Sequence, residues 1–274
     1  MIVVNSVVHS EVSALDRGLA YGDGVFRTFP ARRGMPLHWS RQYAKLARDC
    51  TALRFTVPDA QSLAADVQTA CGEAAYAAVK IVITRGVGER GYRYTGDERP
   101  TRIVHAQTRI EAPAAAQAEG VKVRLCSTRL SRQPALAGVK HLNRLENVLA
   151  RAEWNDPQTA EGLMCDAEGN IIGGTMTNVF VVKDGVLATP RLDLCGVAGV
   201  TRERVLEAAG RLDVPCTVMT CTLKDVHRAD EVFLVNSLVG VWPVRELDGE
   251  PRKPGSVTRL LQQALEQEDN APAP

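Results

Sequence analysis

Lysine is the scarcest charge in this chain: 33 basic residues comprise 26 arginines and only seven lysines, set against 32 acidic residues. That balance leaves a formal net charge of +1 and removes any global electrostatic case for nucleic acid or an anionic membrane as partner. Long apolar runs are missing too, and no stretch approaches the roughly 18–20 residues that a membrane span needs. The opening MIVVNSVVHSEV has no basic region leading into an apolar one, so a cytoplasmic location is expected. Cysteines at 50, 71, 126, 165, 195, 216 and 221 include no CxxC pair. This argues against a disulfide framework or a zinc site and for a reducing compartment. The histidines at 9, 38, 105, 141 and 227 lack ligand-like spacing, so no metal is expected. Dinucleotide-binding and P-loop folds are not expected either, and GxxxxGK[ST] does not occur.

What is present suits an ordinary soluble domain pair. The 274 residues are 45% hydrophobic and 24% charged, enough for one large or two modest domains with a core that needs no disulfide. IVV-NS-VV reads as a short hairpin around Asn5-Ser6. Trp39, Tyr43, Leu46, Ala47, Cys50 and Leu53 predict a helix over 38–53. Asp59 caps a second helix that ends at Gly72. Strands are expected over 78–84 and 102–108, and the arginine- and glycine-rich loop between them is too long for a simple hairpin. Long loops of this kind inside compact domains are often functional. A bland segment, 113–120, reads as a linker between a smaller N-terminal domain, 1–112, and a larger one, 121–268, with a disordered tail over 269–274. The second domain shows a strand over 121–127, a helix over about 142–154 and a hairpin turning at Asp184-Gly185. Further on come a helix capped by Thr201 and ending at Gly210, strands over 214–220 and 231–235, and a last helix near 256–267. The fold class is mixed α/β (α+β), in two lobes.

A nucleophilic lysine must be partly desolvated or set among other cations, so that its amine is neutral often enough to react. Six of the seven lysines fit plain structural roles, Lys45 on its helix among them. Lys140 differs, because it follows AGV, precedes HLNRLENVL and is flanked by His141 and Arg144. A lysine at the start of a helix is more often a solvated surface charge, so this ranks Lys140 first without proving it. Two other segments bear on the choice. GGTMTN (173–178) offers small and hydroxyl residues against which a planar ligand can lie. GVAGVTRERV (196–205) is a glycine turn opening a helix, whose exposed amides can seat a phosphate. Each alone is equally an ordinary tight turn. Together they favour a phosphorylated planar cofactor anchored by lysine, a description that pyridoxal phosphate fits.

LDRGLAYGDGVFRT (15–28), AGVKHLNRLENVLAR (137–151), GGTMTNVF (173–180) and TPRLDLCGVAGVTR (189–202) resemble, in that order, the fold-type IV pyridoxal-phosphate enzymes. Within them, KHLNRLENVLAR and RGVGERGY look like the aminodeoxychorismate lyase family more than the aminotransferases. The resemblance implies a homodimer whose subunit has a smaller N-terminal α/β domain and a larger C-terminal domain with a barrel-like sheet. It implies pyridoxal 5'-phosphate bound to Lys140 as a Schiff base, with its phosphate held by the Val200 and Thr201 amides. Lys45 stands where the family usually places an arginine on that phosphate; it keeps the charge and loses the bidentate fork. Gly173 stands where the family usually has a glutamate on the pyridine nitrogen. Without that carboxylate the electron sink is poorer, which favours a lyase that ends in an aromatic product over a transaminase.

The activity implied is release of 4-aminobenzoate and pyruvate from 4-amino-4-deoxychorismate. Lys140 would act as base and acid, and Thr28 as a matched hydroxyl assisting proton transfer. A substrate with two carboxylates calls for arginine, and the candidates are Arg27, Arg90, Arg93, Arg102 and Arg144, with Arg102 and Arg144 favoured. Asn143 and Asn178 are supporting candidates. The alternatives on the same scaffold are a D-amino-acid or branched-chain aminotransferase, or a catalytically inactive homologue.

Overall fold

Asn5 and Ser6 both take left-handed backbone, with φ of 49° and 68°, and so close a tight hairpin between β1 (Ile2–Val4) and β2 (Val7–Val8). The computed structural model of the chain describes residues 1–108 and 114–271. They fall into two units, Met1–Glu111 with Val139–Asn143, and Ala112–Gly138 with Arg144–Pro274. Lys140, expected within the C-terminal domain, therefore belongs to the first unit.

In that unit the hairpin is followed by α1 (Arg17–Tyr21), β3 (Gly24–Arg32), β4 (Met35–Pro36), α2 (Trp39–Ala52) and α3 (Ala60–Cys71). β5 (Tyr76–Thr84) and β6 (Thr101–Thr108) complete it, and the six strands run in the order β2-β1-β6-β5-β3-β4. Alternation along β3 sorts its side chains. Val25, Phe29 and Ala31 pack in a core with Leu46, Cys50, Leu63 and Val67, whereas Phe26 and Thr28 lie on the other face and are half-buried. Both helices match the sequence pattern: Asp59 accepts the Ser62 amide at 2.8 Å, and Gly72 ends α3. Residues 85–100 form no regular element beyond an isolated bridge from Val87 to Asp16. Gly86, Gly88 and Gly91 have dinucleotide-fingerprint spacing, but the loop leads into β6 rather than a helix.

The second unit begins with α4 (Ala114–Glu119), so most of the expected linker is helical; residue 113 lies outside the described residues. β7 (Val121–Leu130), α5 (Leu145–Arg151), β8 (Thr159–Asp166), β9 (Asn170–Gly174), β10 (Asn178–Lys183) and β11 (Val186–Pro190) follow. Then come α6 (Val200–Arg211), β12 (Cys216–Met219), β13 (Cys221–Thr222), α7 (Leu223–Arg228), β14 (Glu231–Asn236), β15 (Gly240–Leu247), β16 (Glu250–Pro251) and α8 (Ser256–Asn270). The main path of the sheet runs β12-β11-β10-β14-β15-β7-β8-β9-β13. Its two end strands are separated in sequence by Thr220 alone, so the sheet curls until its edges nearly meet, as a barrel does. α8 runs on to Asn270, into the segment expected to be a disordered tail; residues 272–274 lie outside the described residues. Among the described residues no helix is long and apolar enough to cross a membrane.

Candidate active site

Lys140 lies on an extended segment rather than at a helix start. The Phe26 amide donates to the Lys140 carbonyl at 2.9 Å, the Leu142 amide donates to the Gly24 carbonyl at 2.9 Å, and Val25 bridges His141. These ladder bonds commit the backbone to β3, so α5 begins only at Leu145 and the helix expected from 142 is shorter. The arrangement places the Lys140 ammonium 4.4 Å from the centroid of the Phe26 ring, a cation–π distance. Thr28, two residues further along β3, shares that ring's face.

The main-chain N–H of Lys140 donates to Asp49 Oδ2 at 3.4 Å, and Asp49 Oδ1 is paired with Lys45 Nζ. Both residues of the pair are buried, with relative exposures of 4% for Lys45 and 2% for Asp49. Burial pulls the Lys45 ammonium below the usual lysine range, and the Asp49 carboxylate opposes that pull. Lys45 is thus no ordinary surface helix lysine. The four-residue step from Lys45 to Asp49 was the sequence signal for the pair.

The arginine candidates separate clearly. Arg27 is buried and donates twice to Gln42 Oε1, at 2.8 and 3.3 Å. Arg102, favoured from sequence, directs Nε to the buried Asp66 at 3.1 Å and Nη2 to the Ser6 hydroxyl at 2.8 Å. Its strand-end position put it on β6 facing α3, and an acid from that helix has taken its charge. Arg90 and Arg93 are exposed in the 85–100 loop. Asn143 is exposed and donates to the Gly22 carbonyl at 3.2 Å.

In the second unit, Glu161 on β8 is fully buried and organises the 174–177 turn. Its Oε1 accepts the Gly162 and Thr175 amides and the Thr175 hydroxyl, and its Oε2 accepts the Met176 amide and the Thr177 hydroxyl. Sequence reasoning missed it, although an acid inside the apolar run of β8 is itself a signal. A side chain at Gly173 would start 2.8 Å from the Thr177 carbonyl oxygen, closer than a Cβ can sit. Asn178 follows the turn and donates to the Val197 carbonyl at 2.8 Å. From α5, Asn147 reaches the same turn through the Thr175 carbonyl, at 2.9 Å, and Arg144 is the N-cap residue of that helix.

α6 starts two residues earlier than expected: its N-cap is Gly199, and Thr201 lies inside the first turn, buried, rather than capping it. A glycine cap supplies no side-chain acceptor, so the first amides of α6 are left for a ligand or solvent. The Thr201 hydroxyl lies 3.3 Å from that of Ser237, a residue with no sequence signal of its own.

Each unit holds groups of a kind that pyridoxal phosphate needs: an amine at Lys140 in the first, and the uncapped first amides of α6 in the second. For the ring nitrogen, Gly173 offers nothing, and both oxygens of Glu161 are already used by the turn.

Comparison with known proteins identifies the family. A family model described as amino-transferase class IV matches residues 24–247. An aminodeoxychorismate lyase from Vibrio harveyi is 38% identical over 269 residues, covering 96% of this chain and 98% of that protein. A putative branched-chain-amino-acid aminotransferase from Methanocaldococcus jannaschii is 30% identical, covering 93% of this chain and 90% of that protein. Among solved structures, a 4-amino-4-deoxychorismate lyase from Pseudomonas aeruginosa superposes with a TM-score of 0.93 at 42% identity, covering 97% of this chain and 98% of that one. The chain belongs to the class IV aminotransferase family, whose members depend on pyridoxal phosphate.

Proposed function

We propose that this chain is an aminodeoxychorismate lyase, converting 4-amino-4-deoxychorismate to 4-aminobenzoate and pyruvate with pyridoxal 5'-phosphate. The observation that carries the reading is near full-length similarity to two lyases, at 38% and 42% identity, together with Lys140 held on β3 beside Phe26. When bound, the cofactor supplies an electron sink for charge that develops next to the substrate nitrogen. Lys140 Nζ would anchor it covalently, and the N-terminal amides of α6 at Val200 and Thr201 would hold its phosphate. Lys45, the position expected to add charge to that phosphate, is set aside like Arg102, because it is buried and paired with Asp49.

Lys140 Nζ would remove the proton from the ring carbon beside the substrate amine. The ether C–O bond then breaks, its electron pair leaving with enolpyruvate, and Lys140 Nζ returns a proton to the enolpyruvate methylene to give pyruvate. The Phe26 ring, its centroid 4.4 Å from Lys140 Nζ, limits where that amine points. Thr28 assists the transfer from the same face of β3. For the substrate carboxylates, Arg90 and Arg144 are retained with Asn143, and Arg102 is set aside because Asp66 holds it.

The working form is a homodimer. Apolar side chains stand in solvent on the first unit, at Val7, Val8, Leu15 and Leu19, and along one side of α5, where Leu145, Val148 and Leu149 are 76%, 59% and 61% exposed. Such surfaces in a soluble chain ask for a covering partner, and a second copy is the simplest. Seven free cysteines suit a cytoplasmic setting.

The test incubates the purified protein with pyridoxal phosphate and 4-amino-4-deoxychorismate and follows 4-aminobenzoate fluorescence. The wild type releases product and carries a visible absorption band that borohydride removes, and Lys140→Ala loses both. A band that survives in Lys140→Ala overturns the lysine assignment. Amino transfer from D-alanine to 2-oxoglutarate without 4-aminobenzoate release would place the chain with its aminotransferase relatives.

A further inference from the structure

The block LDRGLAYGD, 15–23, does specific work within the first unit: it holds the 85–100 loop. Asp16 ties the loop's base. Its Oδ2 accepts the hydroxyl of Thr84, the last residue of β5, at 2.9 Å, and that of Thr101, the first of β6, at 2.7 Å. Arg17 ties the loop's crest. Its Nη1 donates to the carbonyls of Gly91 and Arg93 at 3.0 and 3.3 Å, and its Nη2 donates to that of Tyr92 at 3.1 Å.

Three consecutive carbonyls on one guanidinium fix the backbone there as a regular element otherwise would. Arg17 is only 3% exposed, and its charge is balanced by Asp23, which accepts from Nε at 2.9 Å. Asp23 also accepts from Arg85 Nε at 2.7 Å, so it joins both arginines, and the Arg85 guanidinium stacks 3.9 Å from the Tyr94 ring. Tyr21 closes the set: its hydroxyl accepts the Gly91 amide at 2.9 Å, and its ring lies 5.4 Å from that of Tyr92. A loop with no ladder of its own is thereby pinned at base and crest, while Arg90 is left exposed between the pinned points.

We propose that Arg17 is a positioning residue for substrate binding: by holding the carbonyls of residues 91–93 it keeps Arg90 in one orientation toward a substrate carboxylate. This rests on the reading of Arg90 given under the proposed function. A guanidinium that is preorganised loses less freedom on binding, so release of the loop weakens substrate binding and leaves the chemical step in place.

The experiment uses the pyridoxal-phosphate-loaded enzyme and the variants Arg17→Gln, Arg17→Lys, Tyr21→Phe, Arg90→Gln and Arg17→Gln/Arg90→Gln. Two readouts are taken, tryptic cutting of the native protein after Arg90 and Arg93, and KM and kcat for 4-amino-4-deoxychorismate. Arg17→Gln is expected to be cut about tenfold faster in the loop, with KM raised about tenfold and kcat within about threefold of wild type. Arg17→Lys restores part of both changes, since an ammonium still donates to carbonyls. Tyr21→Phe, which removes one acceptor and no charge, shifts cutting in the same direction and serves if Arg17→Gln does not fold. The double variant binds substrate no worse than Arg90→Gln alone, because Arg17 acts through Arg90.

Unchanged loop cutting in both Arg17→Gln and Tyr21→Phe overturns the proposal. So does a fall in kcat at constant KM, or additive losses in the double variant. A normal KM in Arg90→Gln beside a raised one in Arg17→Gln overturns it as well, since Arg17 then acts on binding without Arg90, while 4-aminobenzoate release by the wild type still upholds the lyase reading.

Discussion

The Asp49 carboxylate serves two lysines at once: Oδ2 accepts the main-chain N–H of Lys140 at 3.4 Å, and Oδ1 holds the ammonium of Lys45. A helix residue four positions from one lysine thereby fixes the backbone of another lysine far away in sequence.

Removing the charge of Asp49 leaves a buried cation unpaired. Asp49→Asn is expected to lose about 3–5 kcal/mol of unfolding free energy at neutral pH. The pH dependence follows from Lys45, whose folded-state value is already pulled below the usual lysine range by burial. The unfolded chain then binds that proton more readily than the folded one, so stability rises as the pH climbs through the window beneath the ordinary lysine value. In Asp49→Asn the window widens downward, and urea titrations should show a smaller deficit at about pH 9 than at pH 7.

Gly173 sits where a side chain has no room. With the Thr177 carbonyl oxygen 2.8 Å from the position of a Cβ, Gly173→Ala must push the turn that Glu161 holds, and a loss of about 1–3 kcal/mol is expected in urea unfolding. Gly173→Glu carries the same strain and adds an acid. If the missing carboxylate is what favours lyase chemistry, this variant gains amino-transfer turnover relative to lyase turnover. An equal change in both ends the idea.

Acid stability has a separate source at Glu153. Burial alone would raise its carboxyl, but the Thr128 hydroxyl and the amides of Ser127 and Thr128 outweigh that and hold it at about 2. The carboxylate bridges the irregular stretch of β7 between Leu125 and Arg129. Because its folded-state value is depressed, the stabilisation is present above the ordinary glutamate value of about 4.3 and is lost as the pH falls toward 2. Glu153→Gln should cost about 2 kcal/mol at pH 7 and much less near pH 3, read from thermal or urea midpoints.

Much of the fold was legible because its signals are local. Hairpin turns at Asn5-Ser6 and Asp184-Gly185 need residues that accept left-handed backbone, and the sequence supplies them. The Asp59 cap and the apolar spacing of α2 depend on neighbours within four residues, which a sequence displays directly. The scarcity of lysine isolated Lys140 for the same reason, since it required only counting and context.

What the sequence could not decide were contacts between distant segments. Lys140 is read locally as a helix start, yet its carbonyl and the next residues pair with β3, and hydrogen bonds already made to a strand cannot also open a helix. Arg102 looked available because its strand context shows no acid, and only packing of α3 on β6 brings Asp66 to it. Thr201 resembled a cap, but Gly199 starts the helix and leaves its amides open. Sequence by itself determined which residue types could do the chemistry. Tertiary structure decided which of them are held, which are spent on one another, and which remain for a ligand, because charge and hydrogen-bonding capacity are satisfied in space and not along the chain.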